Sequence, residues 1–455
     1  MCENLLQGVR NIHFIGIGGS GMVAVVQILK EQGYNITGSD NNESDVVRLV
    51  RSLNIKVFMK QEAKNIEGAD LIIYTAAILD NNEELLAAKK SGIKLVERND
   101  FLGYFTKKYD NAICVCGTHG KTTTTSMLTQ ILLEAKKNPT AIIGGKLQAI
   151  NGYARLGNSN NLVCEACEFK DHFLKLFPDI VVVLNIDNDH LDYFKNMDNL
   201  KNSFRKFCEK ATDRVIYNGD DKNTVEVVEN INKNKISFGF GNNNLYYILN
   251  VRKEFGVKTI FDLARNGSVI VENMQIFVPG DHNILNAAAA AVTALENGVE
   301  KDYILSALKN FKGAGRRFEF VGKVNGAVIL DDYAHHPREI YATLKALREY
   351  SFKRIWVIHQ PFTFSRTAML KQDFKKALSL ADKVVITDIM GSREENKTGL
   401  NGKDLADILP QGVYCASQNE AAEYVKSNLK DGDVVITMGC GDIYKCAKII
   451  VYGEY

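Results

Sequence analysis

Short apolar runs alternate with amphipathic stretches along nearly the whole chain, and this restricts the fold more than any other feature. NIHFIGI (11–17), YNITGSD (34–40), KVFM (56–59), ADLIIYTAA (69–77) and IKLVE (93–97) read as buried strands, separated by helical segments such as SDVVRLVRSL (44–53). Strands covered by helices on both faces read as continuous apolar runs, so the repeat predicts a parallel sheet. A second series begins at AICVC (112–116) and continues through NLVCEACE (161–168), DIVVVLNID (179–187), RVIYNGD (214–220) and KISFGF (235–240). Residues 245–280 change texture to alternation broken by turn residues, which predicts inserted antiparallel hairpins. An Ala-rich helix over 283–298 follows, stopped by Gly298. A third series contains AVILDDY (327–333), RIWVIHQ (354–360), KVVITDI (383–389) and DVVITMG (433–439). The 455 residues suit three α/β domains of ~150 residues each. Their expected bounds are 1–106, 107–312 and 313–455.

Composition excludes several classes. Hydrophobic residues at 45% and charged residues at 24% are ordinary for a globular protein. A net charge of +2 gives no reason to expect nucleic acid or an acidic membrane as a partner. No apolar run reaches the ~18 residues of a membrane span. The start, MCENLLQGVRNIHFIG, lacks the charged and apolar regions of a signal peptide, so a cytoplasmic location is expected. The nine cysteines include the pairs Cys114/Cys116 and Cys164/Cys167. No second pair stands at zinc spacing, and they read as reduced core residues.

Two glycine-rich junctions carry chemistry. Gly16-Ile-Gly18-Gly19-Ser20-Gly21 matches GxGxxG between a strand and a helix, where backbone amides and the helix dipole favour a pyrophosphate. Asp40 lies where such folds place an acid against a ribose hydroxyl. The motif fixes a diphosphate and leaves open whether it belongs to a dinucleotide or a UDP-sugar. The second junction is GTHGKTTTTS (117–126). It ends like a phosphate-binding loop, but Val115 occupies the usual first glycine. Gly117 allows a shorter turn, through Thr118, His119 and Gly120. Lys121 can reach β- and γ-phosphates, the Thr122 hydroxyl can ligate Mg²⁺, and Thr123 adds a donor.

Carboxylates end the two following strands. Glu165 and Glu168 close one; Asp187, Asp189, His190 and Asp192 follow the next. Ligands of open α/β sheets bind at the carboxyl ends of strands, and carboxylates there suit Mg²⁺ beside ATP phosphates. Asp189 and Asp192 read as solvated loop acids; the choice between Glu165 and Glu168 stays open. In the third series Arg316 and Arg317 can clamp a phosphoryl group. Asp332, Tyr333, His335 and Arg366 sit at further strand ends.

Taken together, HFIGIGGSGM, GTHGKTTTTSM, EACE, NIDNDHLDYF, GDHNILNAAAA, RRFE and DDYAHHPREI resemble the signatures of the Mur ligases of peptidoglycan synthesis, in that family's order and over nearly all of the chain. The shortened GTHGKT loop is itself that family's form. The resemblance implies a three-domain α/β architecture: an N-terminal Rossmann-like domain for the UDP-sugar, a central P-loop ATPase domain and a C-terminal Rossmann-like domain that closes on ATP. It implies ligation of L-alanine to the carboxylate of UDP-N-acetylmuramate through an acyl phosphate, with ATP and Mg²⁺. By the same resemblance Lys121 and Arg317 hold the γ-phosphate, Thr122 and Glu165 take one Mg²⁺, and His190 helps with a second. His282, Asn283 and Asn286 lie near adenine. Gly18, Gly19, Ser20, Gly21 and Asp40 hold UDP, and Asp332, Tyr333, His335 and Arg366 face the amino acid. One departure stands out: the family usually reads Gln-Pro-His and then another polar residue, whereas Gln360-Pro361 is followed here by Phe362 and Thr363. Pocket discrimination by one methylene amounts to ~1–3 kcal/mol, so alanine, glycine and serine stay open on residues alone. Other readings are ligation of a recycled peptide, a non-catalytic nucleotide-binding paralogue, and an NAD-dependent oxidoreductase. The last leaves the second loop and the acidic strand ends without a task.

Overall fold

The computed structural model describes residues 5–188, 191–254, 258–391, 394–396 and 399–453. They form two compact units: Met1–Leu249 with Asp262–Glu272 and Leu285–Leu308, and Asn250–Phe261 with Asn273–Ile284 and Lys309–Tyr455.

The first unit opens with a parallel sheet of β1 (Asn11–Ile15), β2 (Asn35–Ser39), β3 (Lys56–Phe58), β4 (Leu71–Tyr74) and β5 (Lys94–Glu97), in the order β3-β2-β1-β4-β5. The strand order reverses at β1, where such sheets open a ligand crevice. Gly16, at φ +82°, turns the chain there into the helix Ser20–Glu31, whose residues Met22 to Leu29 are all buried.

A second sheet contains β6 (Asn111–Cys116), β7 (Thr140–Leu147), β8 (Gly152–Arg155), β9 (Asn161–Glu165), β10 (Ile180–Val183), β11 (Arg214–Asn218), β12 (Asn234–Gly239), β13 (Tyr246–Glu254), β14 (Lys258–Arg265) and β15 (Ser268–Ile276). Its order is β15-β14-β13-β12-β11-β10-β6-β9-β7-β8. β6 lies between β10 and β9, parallel to both, with Cys116 opposite Val183 and Val115 opposite Glu165. Asn266 and Gly267, both at positive φ, form the two-residue turn from β14 to β15, as a hairpin requires.

Gln27 ties the two sheets of this unit together. Its Oε1 accepts the amides of Tyr153 (2.8 Å) and Ala154 (3.1 Å) on β8, while Glu31 accepts that of Leu156. Thr106 Oγ1 accepts the amide of Phe177 at 3.1 Å. Buried amides left without acceptors cost about 1–3 kcal/mol each, so these contacts fix how the sheets dock.

The second unit holds β16 (Glu319–Val324), β17 (Ala327–Asp332), β18 (Arg354–His359), β19 (Lys383–Ile386), β20 (Gly412–Tyr414) and β21 (Asp433–Met438), in the order β16-β17-β21-β18-β19-β20. Among the described residues of this sheet only β16 pairs antiparallel, with β17. Helices Pro337–Arg348 and Lys371–Leu378 cover one face, packing Ile340, Leu344 and Phe374; Gln418–Asn428 and Tyr444–Tyr452 cover the other, packing Val425 and Ile450.

Candidate active site

The second glycine loop follows β6 and enters the helix Lys121–Glu134. Gly117 (φ +143°) and Gly120 (φ +84°) adopt backbone angles that side chains disfavour. A Cβ on Gly120 would also overlap Asn286 Oδ1. Asn185, beyond the end of β10, clips the loop: its Oδ1 accepts the His119 amide (2.8 Å), its Nδ2 donates to the His119 carbonyl (3.0 Å), and its carbonyl accepts the Thr118 amide (3.0 Å). Thr118 Oγ1 accepts the Asp187 amide at 2.9 Å. The loop is therefore held in shape by its own protein contacts.

Lys121 folds over this loop. Its ammonium donates to the carbonyls of Gly117 (2.5 Å) and Thr118 (3.1 Å) and pairs with Glu168, whose two oxygens stand 3.1 and 2.9 Å away. The Glu168 side chain is 1% exposed and that of Lys121 14%. Burial works against the lysine's charge, but Glu168, Cys167 and Glu165 outweigh it and its pKa is raised. Glu165 is placed differently. It is half-buried on β9 and accepts the Gly144 amide at 2.8 Å. Of the two glutamates, Glu168 is committed to Lys121, and Glu165 keeps acceptor capacity at the strand edge. Thr122 is partly exposed, Thr123 is buried, and the exposed His119 lies 3.7 Å from Asp187. His190 and Asp189 lie outside the described residues.

At the first glycine turn, the Gly18 amide donates to Asp40 Oδ2 at 2.8 Å, and Asn42 donates to Oδ1. Asp40 thus braces the turn from the end of β2. Gly19 and Ser20 lead into the helix with no side-chain cap on its free amides. Gly21 lies under the guanidinium of Arg98.

In the second unit the adjacent arginines differ. Arg316 is fully used: it pairs with Asp331 (3.0 Å), donates to the carbonyls of Gly441 (2.7 Å) and Gly439, and stacks on Tyr333 and Tyr444. Arg317 lies over the Tyr333 ring at 5.2 Å. Asp332 accepts the amides of Phe318 (2.9 Å) and Ala334 (2.8 Å). Burial pushes its pKa up to about 6 against the pull of Arg317. His335 Nδ1 faces the Tyr333 carbonyl (3.2 Å) and Glu339 (3.3 Å), and burial lowers its pKa, keeping the ring neutral near pH 7. The Phe362 ring stands edge-on to it at 6.3 Å. Arg366 keeps a buried Nη1 without a hydrogen-bond partner among the described residues. His282 packs against Gly280, and Asn283, 6% exposed, donates to the Pro279 carbonyl at 2.7 Å. At the carboxyl edge of the sheet an open cleft of about 350 Å³ is lined by Gln360, Thr387, Asp388, Ser417, Gln418 and Asp442.

Sequence reasoning missed Asn185, Arg98 and Glu339. Glu339 alone had a signal, the capping-box spacing after His336.

Within the first unit, a glycine loop with a buried lysine–carboxylate pair stands at one strand edge and a second glycine turn at another. These define a nucleotide-using α/β enzyme. Three family models match in succession: "Mur ligase family, catalytic domain" over residues 11–110, "Mur ligase middle domain" over 115–294 and "Mur ligase, glutamate ligase domain" over 316–441. The chain is 41% identical over 446 residues to the UDP-N-acetylmuramate–L-alanine ligase of Caldanaerobacter subterraneus subsp. tengcongensis, covering 97% of each chain. It is 43% identical over 444 residues to that of Caldicellulosiruptor bescii, covering 96% of this chain and 97% of the relative. The solved UDP-N-acetylmuramate–alanine ligase of Thermotoga maritima superposes with a TM-score of 0.85 at 28% identity, over 97% of this chain and 98% of that one. The chain belongs to the Mur ligase family.

Proposed function

We propose that the chain joins L-alanine to UDP-N-acetylmuramate at the expense of ATP, releasing ADP and phosphate, in peptidoglycan synthesis. The end-to-end similarity to ligases of that name carries the reading. The lactyl carboxylate attacks the γ-phosphorus of ATP and ADP leaves. The alanine nitrogen then attacks the acyl carbon, phosphate leaves, and the nitrogen loses a proton. Two anions meet in the first step, so neutralising charge is the main task.

Lys121 supplies a fixed positive charge at the loop, and Arg317 a second for the γ-phosphate. Thr122 and Glu165 would hold one Mg²⁺, which takes one or two carboxylates plus substrate phosphates rather than a full protein cage, and His190 would help hold a second. The acceptor capacity left on Glu165 supports this, and the ion contributes charge neutralisation. Gly117 to Thr123 cradle phosphates; His282, Asn283 and Asn286 serve the adenine side. Gly18, Gly19, Ser20, Gly21 and Asp40 hold UDP. Tyr333, His335, Asp332 and Arg366 form the amino-acid side, where the partnerless Nη1 of Arg366 suits a carboxylate. The neutral imidazole of His335 is an acceptor for the departing amine proton. Phe362 adds bulk beside it and fits a small amino acid.

The test is phosphate release by the purified chain with ATP, Mg²⁺ and UDP-N-acetylmuramate, adding L-alanine, glycine or L-serine in turn. Release should require both the sugar nucleotide and L-alanine, and should vanish in Lys121→Ala. Full activity in that variant, or no release with any amino acid, would overturn the proposal.

A further inference from the structure

Arg98 opens the helix Arg98–Thr106 just after β5. Its guanidinium reaches back over the first glycine turn: a Cβ on Gly21 would stand 2.5 Å from Nη1 and 3.0 Å from Cζ. Gly21 is thus bare where the arginine crosses the start of the helix Ser20–Glu31. The side chain is half-buried. Among the described residues its guanidinium has no carboxylate within ion-pair distance, and it donates one hydrogen bond, from Nη2 to Asn99 Oδ1 at 2.5 Å. Glu97, the nearest acid in sequence, is engaged elsewhere: it accepts from Asn99 Nδ2 at 2.6 Å and stands 4.0 Å from His172.

Burial lowers the Arg98 pKa, against the opposing pull of Cys167, Cys164, Glu97 and Glu165. Cys164, Glu165 and Cys167 lie at and just beyond the end of β9, so that strand end pulls on the guanidinium that covers Gly21. A guanidinium drawn out of water without a carboxylate is costly. Its five donors match anionic oxygens in a fork. The helix start beside it presents uncapped amides, which favour the same charge.

We infer that Arg98 is a positioning residue that grips an anionic oxygen of the sugar nucleotide where the N-terminal sheet meets the central one. The inference rests on the sugar-nucleotide substrate proposed above. Its ligand chemistry is an oxyanion with two sources in that substrate, the diphosphate and the lactyl carboxylate. Gripping either one aims the lactyl arm from the glycine turn toward Glu165.

The experiment is titration calorimetry of the full chain with UDP, UDP-N-acetylglucosamine and UDP-N-acetylmuramate, on wild type, Arg98→Gln and Arg98→Lys. Loss of a charge-assisted contact should weaken binding roughly 10- to 100-fold in Arg98→Gln. Arg98→Lys should recover part of the loss, ATP affinity should not change, and KM for the sugar nucleotide should rise more than kcat falls. Equal weakening for all three ligands assigns the diphosphate. Weakening for UDP-N-acetylmuramate alone assigns the carboxylate. Wild-type affinity for all three in Arg98→Gln overturns the inference. So does a loss of ATP and sugar-nucleotide binding together that Arg98→Lys does not relieve, since that marks a structural role. Failure of the wild type itself to bind UDP-N-acetylmuramate would instead overturn the proposed function.

Discussion

The Lys121–Glu168 pair lends itself to a double-mutant cycle with an asymmetric outcome. Lys121→Met leaves a carboxylate that is 1% exposed without its counter-charge. Removing one partner of a buried pair costs about 3–5 kcal/mol. Glu168→Gln leaves an ammonium that is 14% exposed and still bonded to the carbonyls of Gly117 and Thr118. That change should cost only about 1–2 kcal/mol. In the double variant no charge is stranded, so its destabilisation should fall short of the sum by roughly 2 kcal/mol or more. Urea denaturation without nucleotide measures the three values. Far-UV circular dichroism reports on both units, whereas the single tryptophan, Trp356, is buried in the second. The first-unit transition should move and the Trp356 transition should not. The lysine's folded pKa is raised, so its stabilisation is complete below the unfolded lysine pKa of about 10.4. It is lost only as pH rises through the folded value, so the coupling should be flat from pH 6 to 9. Additive effects within about 0.5 kcal/mol, or a moving Trp356 transition, would refute the reasoning.

Gly144→Ala places a Cβ against both carboxylate oxygens of Glu165 and should displace that side chain. Turnover should drop at least ~10-fold at a cost of about 1–3 kcal/mol in stability, with UDP affinity unchanged; unaltered turnover and Mg²⁺ dependence would show that Glu165 is idle. The second unit should carry two opposing pH dependences. Asp332, with its pKa pushed up to about 6 by burial, makes the folded state bind more protons, so its ionisation removes stability as pH rises from about 4 to 6. His359, pushed down to about 4 by burial, does the reverse over pH 4 to 6.5, and His335 adds the same sign. Asp332→Asn should therefore leave a rising stability profile and His359→Phe a falling one, each by up to about 3 kcal/mol in urea titrations followed at Trp356. Parallel profiles for the two variants would sink the assignment.

The parallel architecture was legible because strands covered on both faces cannot hide their apolar runs. β7, by contrast, was not legible. Its TAIIGGKL breaks at Gly144-Gly145, and the break exists because the Gly144 amide must approach Glu165. β8 (GYAR) and β20 (GVY) are only four and three residues long, and each opens on a glycine that interrupts an apolar run. The same limit governs the site. Residues whose meaning lies in their local spacing, such as Gly117, Gly120 and Lys121, were found from the sequence. Residues whose meaning comes from a turn in the chain were not. Glu165 and Glu168 share one acidic stretch, yet β9 ends at the first, and positive φ at Lys170 and Asp171 follows the second. That path sends Glu168 inward to Lys121 and leaves Glu165 at the edge. Asn185 reads as an ordinary loop amide until the parallel register of β6 and β10 sets it against His119, sixty-six residues away in sequence. Arg98 looks like part of a solvated charged cluster, VERND, until the fold lays its guanidinium over Gly21, seventy-seven residues away in sequence. In each case a long-range constraint decides the chemistry of a side chain, and no local pattern in the sequence records it.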